Sequence, residues 1–186
     1  MRVLGIDPGS RYLGFGIVDV RRGVPVYAAH GVVKAAGAGT LAERLKLIFD
    51  ELQQVVHVFQ PEAVAVEGVF THKNARSALI LGHARGVALL LAAKAGLPVH
   101  EYAPARVKRS VGAGGNDSKD AVARMVTTLL KLKEPLERAD AYDALAVALC
   151  HAHQLRGIPV KKASTTTSSF SSRLAPSYVA PVGALP

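Results

Sequence analysis

The sequence predicts an α/β domain, a mixed five-stranded sheet flanked by helices. Three observations predict it. Strand-like runs separated by turn residues lead the chain, an apolar stripe at helical spacing follows, and short Val- and Ala-rich strands then alternate with helical segments. An antiparallel hairpin set followed by strand–helix–strand crossovers builds a mixed sheet with helices on both faces.

Arg2 to Asp7 reads as a strand that is apolar on both faces and is ended by Pro8-Gly9. Tyr12 to Val20 and Val24 to Val33 read as two further strands joined by the turn Arg21-Arg22-Gly23, which makes an antiparallel meander. Thr40 is a fitting N-cap for a helix whose residues Leu41, Leu45, Ile48, Leu52 and Val55 form one apolar stripe. Glu62 to Glu67 alternates Val and Ala as a short strand, a second helix spans about Ala75 to Ala95, and Leu97 to Tyr102 is another strand. Three helical segments close the folded part, near Ala105 to Ser110, Ser118 to about Lys131, and about Glu137 to Leu155. This order of elements matches the ribonuclease H-like fold.

The folded domain is expected over residues 1–157, after which the character of the chain changes. Ser164 to Ser172 is nearly all Ser and Thr, and Pro159, Pro176, Pro181 and Pro186 punctuate the end, so residues 158–186 read as a disordered tail. Its Lys161, Lys162 and Arg173 offer loose contacts to a polyanion, or the tail is simply solvated.

The chain carries 23 Lys and Arg against 14 Asp and Glu, a net charge of +9, which favours a polyanionic partner and nucleic acid first. The lone Cys150 rules out an intrachain disulfide and suits a cytoplasmic, reducing location. The N-terminus lacks a basic region followed by a long apolar run, so it does not read as a signal peptide. No membrane span is expected, because no stretch of roughly 20 apolar residues is free of charge. The most apolar segment, Val87 to Ala93, lies between Arg85 and Lys94.

Four carboxylates carry the chemistry. Asp7 ends a buried strand, where a charge is costly unless it is paired or bound to a metal; alone it would pass as a turn aspartate before Pro8-Gly9. Glu67 ends the strand Ala63 to Val66, and parallel neighbours would bring both carboxylates out at one sheet edge, where open α/β sheets collect their sites. Asp140 and Asp143 are three apart on a helix and share a face; stabilisation of the helix end is the plain account of the pair. Apolar Ala144, Leu145, Val147 and Ala148 follow directly, so that helix packs on the body and can present its acidic face to the sheet edge. Four carboxylates together repel and raise one another's pKa. Two magnesium or manganese ions would neutralise them, and oxygen-only ligands suit those metals. Such a pair about 4 Å apart serves phosphoryl transfer.

Other features invite weaker readings. Cys150-His151-Ala152-His153 resembles part of a zinc clip but lacks a second pair of ligands. Phe70 opens the polar, basic loop that continues from Thr71 to Arg76, where an aromatic either stacks on an unpaired base or tucks into the core. Lys73 and Arg76 are candidate phosphate contacts or merely solvated. The second helix is apolar nearly all round, with Leu79, Ile80, Leu81, Val87, Leu89, Leu90 and Leu91. One side fits the sheet and the other a second subunit, with Gly82, Ala84 and Gly86 permitting close approach; deep burial in a monomer is the competing reading.

The set Asp7, Glu67, Asp140 and Asp143 resembles the catalytic carboxylates of the RuvC family of crossover junction endodeoxyribonucleases. The strings that carry the resemblance are Gly5 to Arg11, Glu67 with Phe70 and Asn74, Ser77-Ala78, Leu81-Gly82, Ala84 to Gly86, Val107-Lys108 and Asp140 to Ala146, covering about residues 1–155. The resemblance implies a homodimer that nicks two opposed strands of a four-way DNA junction symmetrically, in recombination and repair. It implies 5′-phosphate and 3′-hydroxyl ends and a branch-migration motor, RuvA with RuvB, as partner. It also implies that the four carboxylates hold two metal ions, that Lys108 and Lys119 lie near the scissile phosphate, and that Phe70 stacks on a base. The loop Ala113 to Ser118 departs from the family's Gly-x-Gly-x-Ala-Glu pattern before the lysine, although the spacing from Lys108 is kept.

Two other classes compete. A fragment of an ATPase or sugar kinase would use Asp7 to Gly16 as a phosphate loop, but 186 residues hold one such domain and no second phosphate-binding Gly-Gly-Thr segment. A junction-binding protein without catalysis would not need all four carboxylates.

Overall fold

A computed structural model describes residues 1–68, 75–112 and 119–155, with the side chain of Lys119 excepted. Phe70, Lys73, the loop Ala113 to Ser118 and the expected tail lie outside the described residues. Among the described residues ten elements follow one another: β1 (Arg2–Asp7), β2 (Tyr12–Arg21), β3 (Val24–Lys34), α1 (Leu41–Phe59), β4 (Ala63–Glu67), α2 (Ala75–Lys94), β5 (Val99–Tyr102), α3 (Pro104–Ser110), α4 (Lys119–Leu130) and α5 (Ala139–Gln154). The strands form one sheet in the order β3-β2-β1-β4-β5. The β1–β2 and β2–β3 pairs are antiparallel, and the β1–β4 and β4–β5 pairs are parallel.

Local chemistry sets the boundaries. Thr40 caps α1 in a full capping box: its hydroxyl accepts from the Glu43 amide at 3.3 Å, and Glu43 Oε2 accepts from the Thr40 amide at 2.7 Å. The Thr40 amide, and with it the Thr40 hydroxyl at 2.8 Å, donates to the Glu43 carboxylate and holds it below its usual pKa. The strand expected from Leu97 begins only at Val99, because Leu97 is used to end α2. Its amide donates to the Ala92 carbonyl at 2.9 Å, with Gly96 in the left-handed region at φ +67°. Likewise α5 starts at Ala139 rather than Glu137, since Arg138 is extended at the N-cap.

Strand alternation divides the core in two. Leu4, Ile6, Leu13, Ile17, Val64 and Val66 face α1 and α2, where Ile48, Leu52, Ala84 and Ala88 meet them. Val3, Val18 and Ala65 face α5, which brings Leu145, Ala148 and Leu149, with α3 and α4 outside it. At the amino ends of the strands Arg2 ties the layers together, donating from Nε to Asp19 at 2.7 Å and from a terminal nitrogen to the Phe59 carbonyl at 2.8 Å.

The second helix needs one correction. Ala84 does not offer close approach to a second subunit, because it is fully buried in the α1/α2 layer together with Ala88, Leu91 and Ala92. The outward face carries Leu79 at 67% and Leu90 at 56% exposure, and a Cβ at Gly82 or Gly86 would meet nothing within 4 Å among the described residues. Among the described residues α2 is the one helix long and apolar enough to cross a membrane by length and composition. One of its faces belongs to the core, and Arg85 within it pairs with Glu101 of β5.

Candidate active site

Asp7 and Glu67 are the last residues of two adjacent parallel strands. The register pairs Ile6 with Val66, so the two carboxylates leave the sheet side by side, with neighbouring strands about 4.8 Å apart. Alternation also fixes the face. Val3 and Ala65 point towards α5, so Asp7 and Glu67, at even spacings from them, emerge on that side.

The helix reaches the carboxylates because the strands beneath it carry glycine. Gly14, the antiparallel partner of Asp7, lies under the first turn of α5, and a Cβ there would stand 2.5 Å from the Asp140 carbonyl carbon and closer still to its oxygen. At Gly5 an added Cβ would meet the Ala148 amide nitrogen at 2.6 Å, and at Gly16 it would meet Leu145 Cδ2 at 2.7 Å. Glycine inside a strand ordinarily weakens it, and a close backbone approach is a reason to have one. The backbone of α5 therefore lies directly on β1 and β2, and its first turn is held beside Asp7. Asp143, one turn along, shares the face of Asp140. All four carboxylates are half-buried.

Among the described residues, no three His, Cys, Asp or Glu side chains stand close enough together, as they lie, to ligate an ion. Asp140 is turned to a cation of the chain itself: Arg138 Nε donates to Asp140 Oδ2 at 3.0 Å, and its guanidinium carbon lies 3.7 Å from the centroid of the Tyr12 ring. Oxygen donors on three elements, gathered at one edge and already drawing a positive charge, match the chemistry of a hard divalent cation.

The other expected residues are spread more widely. Lys108 is half-buried in the last turn of α3, on the β5 side of α5, and Lys119 opens α4. Arg76 is exposed in the first turn of α2. Among the described residues, the side chains of the suspected zinc clip are turned to other partners. Cys150 is buried with Sγ 4.0 Å from the Arg106 carbonyl, His151 Nδ1 lies 2.7 Å from the Tyr102 hydroxyl, and His153 Nδ1 lies 3.0 Å from the Ser110 carbonyl. Sequence reasoning missed Tyr12 and Arg138. A basic residue just ahead of a helix N-terminus opposes the helix dipole, and that was the available signal.

A five-stranded mixed sheet in this order, with carboxylates at the carboxyl ends of its central strands and on the helix across them, defines a ribonuclease H-like protein. The family described as "Crossover junction endodeoxyribonuclease RuvC" matches residues 3–151. The chain belongs to the RuvC family. Its relative so named in Myxococcus xanthus is 57% identical over 97% of this chain and 98% of its own length, and the one in Halorhodospira halophila is 50% identical over 88% and 96%. Among solved structures, Thermus thermophilus RuvC in complex with a Holliday junction superposes with a TM-score of 0.77 at 39% identity, covering 84% of this chain and 95% of that one.

Proposed function

We propose that this chain is a Holliday-junction resolvase, a homodimeric, metal-dependent endodeoxyribonuclease that cuts four-way DNA junctions with paired symmetric nicks. The observation that supports the reading is the backbone placement: Asp7 and Glu67 end adjacent parallel strands in the Ile6–Val66 register, and Gly14 seats the Asp140 backbone on the strand beside Asp7. Membership of the RuvC family and the likeness to a junction-bound relative support it.

Asp7, Glu67, Asp140 and Asp143 would hold two magnesium or manganese ions. When bound, such ions activate a water and stabilise the leaving oxygen of a phosphodiester. The protein's own work is to hold the phosphate and choose the substrate. Lys108 offsets charge gathering on the phosphate, and Lys119 does the same from the start of α4. Lys73 and Arg76 contact the backbone, which positions DNA without reading sequence. Phe70 stacks on a base that the junction has already unstacked, a gain a duplex yields only after its own stacking is broken. The apolar outer face of α2 meets the same face of a second copy, with Leu79 and Leu90 in the contact and Gly82 and Gly86 allowing close approach. A cytoplasmic location, a RuvA–RuvB motor as partner and a tail after residue 157 that adds nothing to the fold complete the reading.

The test is cutting of a synthetic four-way junction, each strand labelled in turn, against a linear duplex of the same sequence. Symmetric nicks that DNA ligase reseals, formed with magnesium or manganese and abolished by chelator, are the expected result. Equal cutting of duplex, or cutting that survives chelation, would refute the proposal.

A further inference from the structure

Arg138 is a cation placed where a helix disfavours one. It occupies the N-cap of α5 in an extended conformation, with φ −141° and ψ 145°, and its side chain makes no capping hydrogen bond. A positive charge at the positive end of a helix is unfavourable. What holds it there is on both sides of the guanidinium. Nε donates to Asp140 Oδ2 at 3.0 Å, and the planar group lies over the Tyr12 ring, 3.7 Å from its centroid. Tyr12 in turn is the first residue of β2, paired with Lys34 of β3, so the ring belongs to the sheet and not to the helix. The side chains of Arg138 and Asp140 are 35% and 25% exposed, which screens their attraction only partly from the neighbouring carboxylate edge.

Arg138 engages Oδ2, one of the two carboxylate oxygens that Asp140 has to offer an ion. We propose that Arg138, held over Tyr12, is a positioning residue that occupies Asp140 in place of a divalent cation and so sets the metal concentration at which the site fills. This rests on the reading of Asp140 as a metal ligand. Two effects then weaken metal binding together: the guanidinium already neutralises the Asp140 charge that would attract the ion, and its own positive charge repels the ion. Arginine suits the task because its plane stacks on the ring while its edge donates to the carboxylate, which a lysine ammonium does not reproduce.

The experiment is a manganese titration of the full-length protein without DNA, read by loss of the free-ion electron paramagnetic resonance signal and by the rise in melting temperature. Arg138→Gln is expected to fill at a concentration about two- to fivefold lower than wild type, the size expected of a partly exposed ion pair. Tyr12→Leu, which keeps the charge but removes the ring, should move the midpoint in the same direction by less, and Arg138→Lys should fall between Arg138→Gln and wild type. Both residues are partly exposed, and the melting temperature without metal checks that each variant folds. An unchanged midpoint in Arg138→Gln, or weaker binding, would overturn the proposal, as would a Tyr12→Leu protein indistinguishable from wild type. A wild-type protein with no response to manganese would sink both this proposal and the metal-site reading beneath it. A normal wild-type response with unshifted variants would sink this proposal alone.

Discussion

The two faces of the sheet are packed by different means. Towards α1 and α2, large side chains interdigitate: Leu4, Ile6, Leu13 and Ile17 against Ile48 and Leu52. Towards α5, Gly5, Gly14 and Gly16 let a helix backbone settle on the strands. The first kind of packing gives stability and tolerates changes of shape that conserve volume. The second fixes where a helix lies, because nothing between backbone and backbone can rearrange. Here it determines the position of Asp140 relative to Asp7.

Altering each face in turn separates their roles. Gly14→Ala places a methyl group against the Asp140 carbonyl, so the first turn of α5 must lift. Displacement of about 1 Å at a reacting centre costs on the order of 100-fold in rate, and junction cutting per folded molecule should fall at least that far. Leu52→Ala, in a fully buried position on the other face, should cost about 2–5 kcal/mol of stability in urea melts while cutting per folded molecule stays near wild type. Similar rate losses in the two variants would erase the distinction between the faces.

A difference also runs along α5. Its amino end carries half-buried carboxylates, while its other end buries His151 at 3% exposure, stacked on His100 with ring centroids 4.1 Å apart. Burial first, and the neighbouring His100 second, push the His151 pKa down from 6.5 to about 4. The unfolded chain therefore takes up a proton on His151 before the folded protein does. Its contribution to stability is full above about pH 6.5 and is lost as pH falls to about 4, a change of about 3 kcal/mol. Asp19, held below the usual carboxylate range chiefly by its hydrogen bond from Arg2, acts at lower pH and is separable. Denaturant midpoints between pH 7 and 4 should fall for wild type and fall less for His151→Phe.

The smallest effect concerns the outer face of α2. Gly82→Ala adds a methyl group that meets nothing among the described residues, so a dilute monomer should gain about 0.5–1 kcal/mol from the helix-favouring residue. In the dimer the same methyl group would intrude, and sedimentation equilibrium should show weaker self-association. Unchanged association would move the dimer contact elsewhere.

Much of this was legible in the sequence. The strand and helix order followed from the two periodicities, the cap of the first long helix from Thr40, and the placement of the four carboxylates from two strand ends and one helix. What was not legible depended on tertiary neighbours. Gly14 and Gly16 sat inside an expected strand as ordinary residues, since nothing local tells which element will lie over them. Ala84 was placed on the wrong face because a helix apolar all round has no polar side to orient it. The stack of Arg138 on Tyr12 joins residues from opposite ends of the folded chain, and no spacing rule reaches that far.

The most direct test of the site is single-turnover cutting of a labelled four-way junction by Asp7→Asn, Glu67→Gln, Asp140→Asn and Asp143→Asn, with junction affinity measured on the same samples. Each substitution removes a carboxylate proposed to hold metal and leaves the basic charge proposed to hold phosphates. Each variant is predicted to bind the junction as wild type does and to cut it at no detectable rate. A near wild-type cutting rate from any one of them would contradict its place in the site.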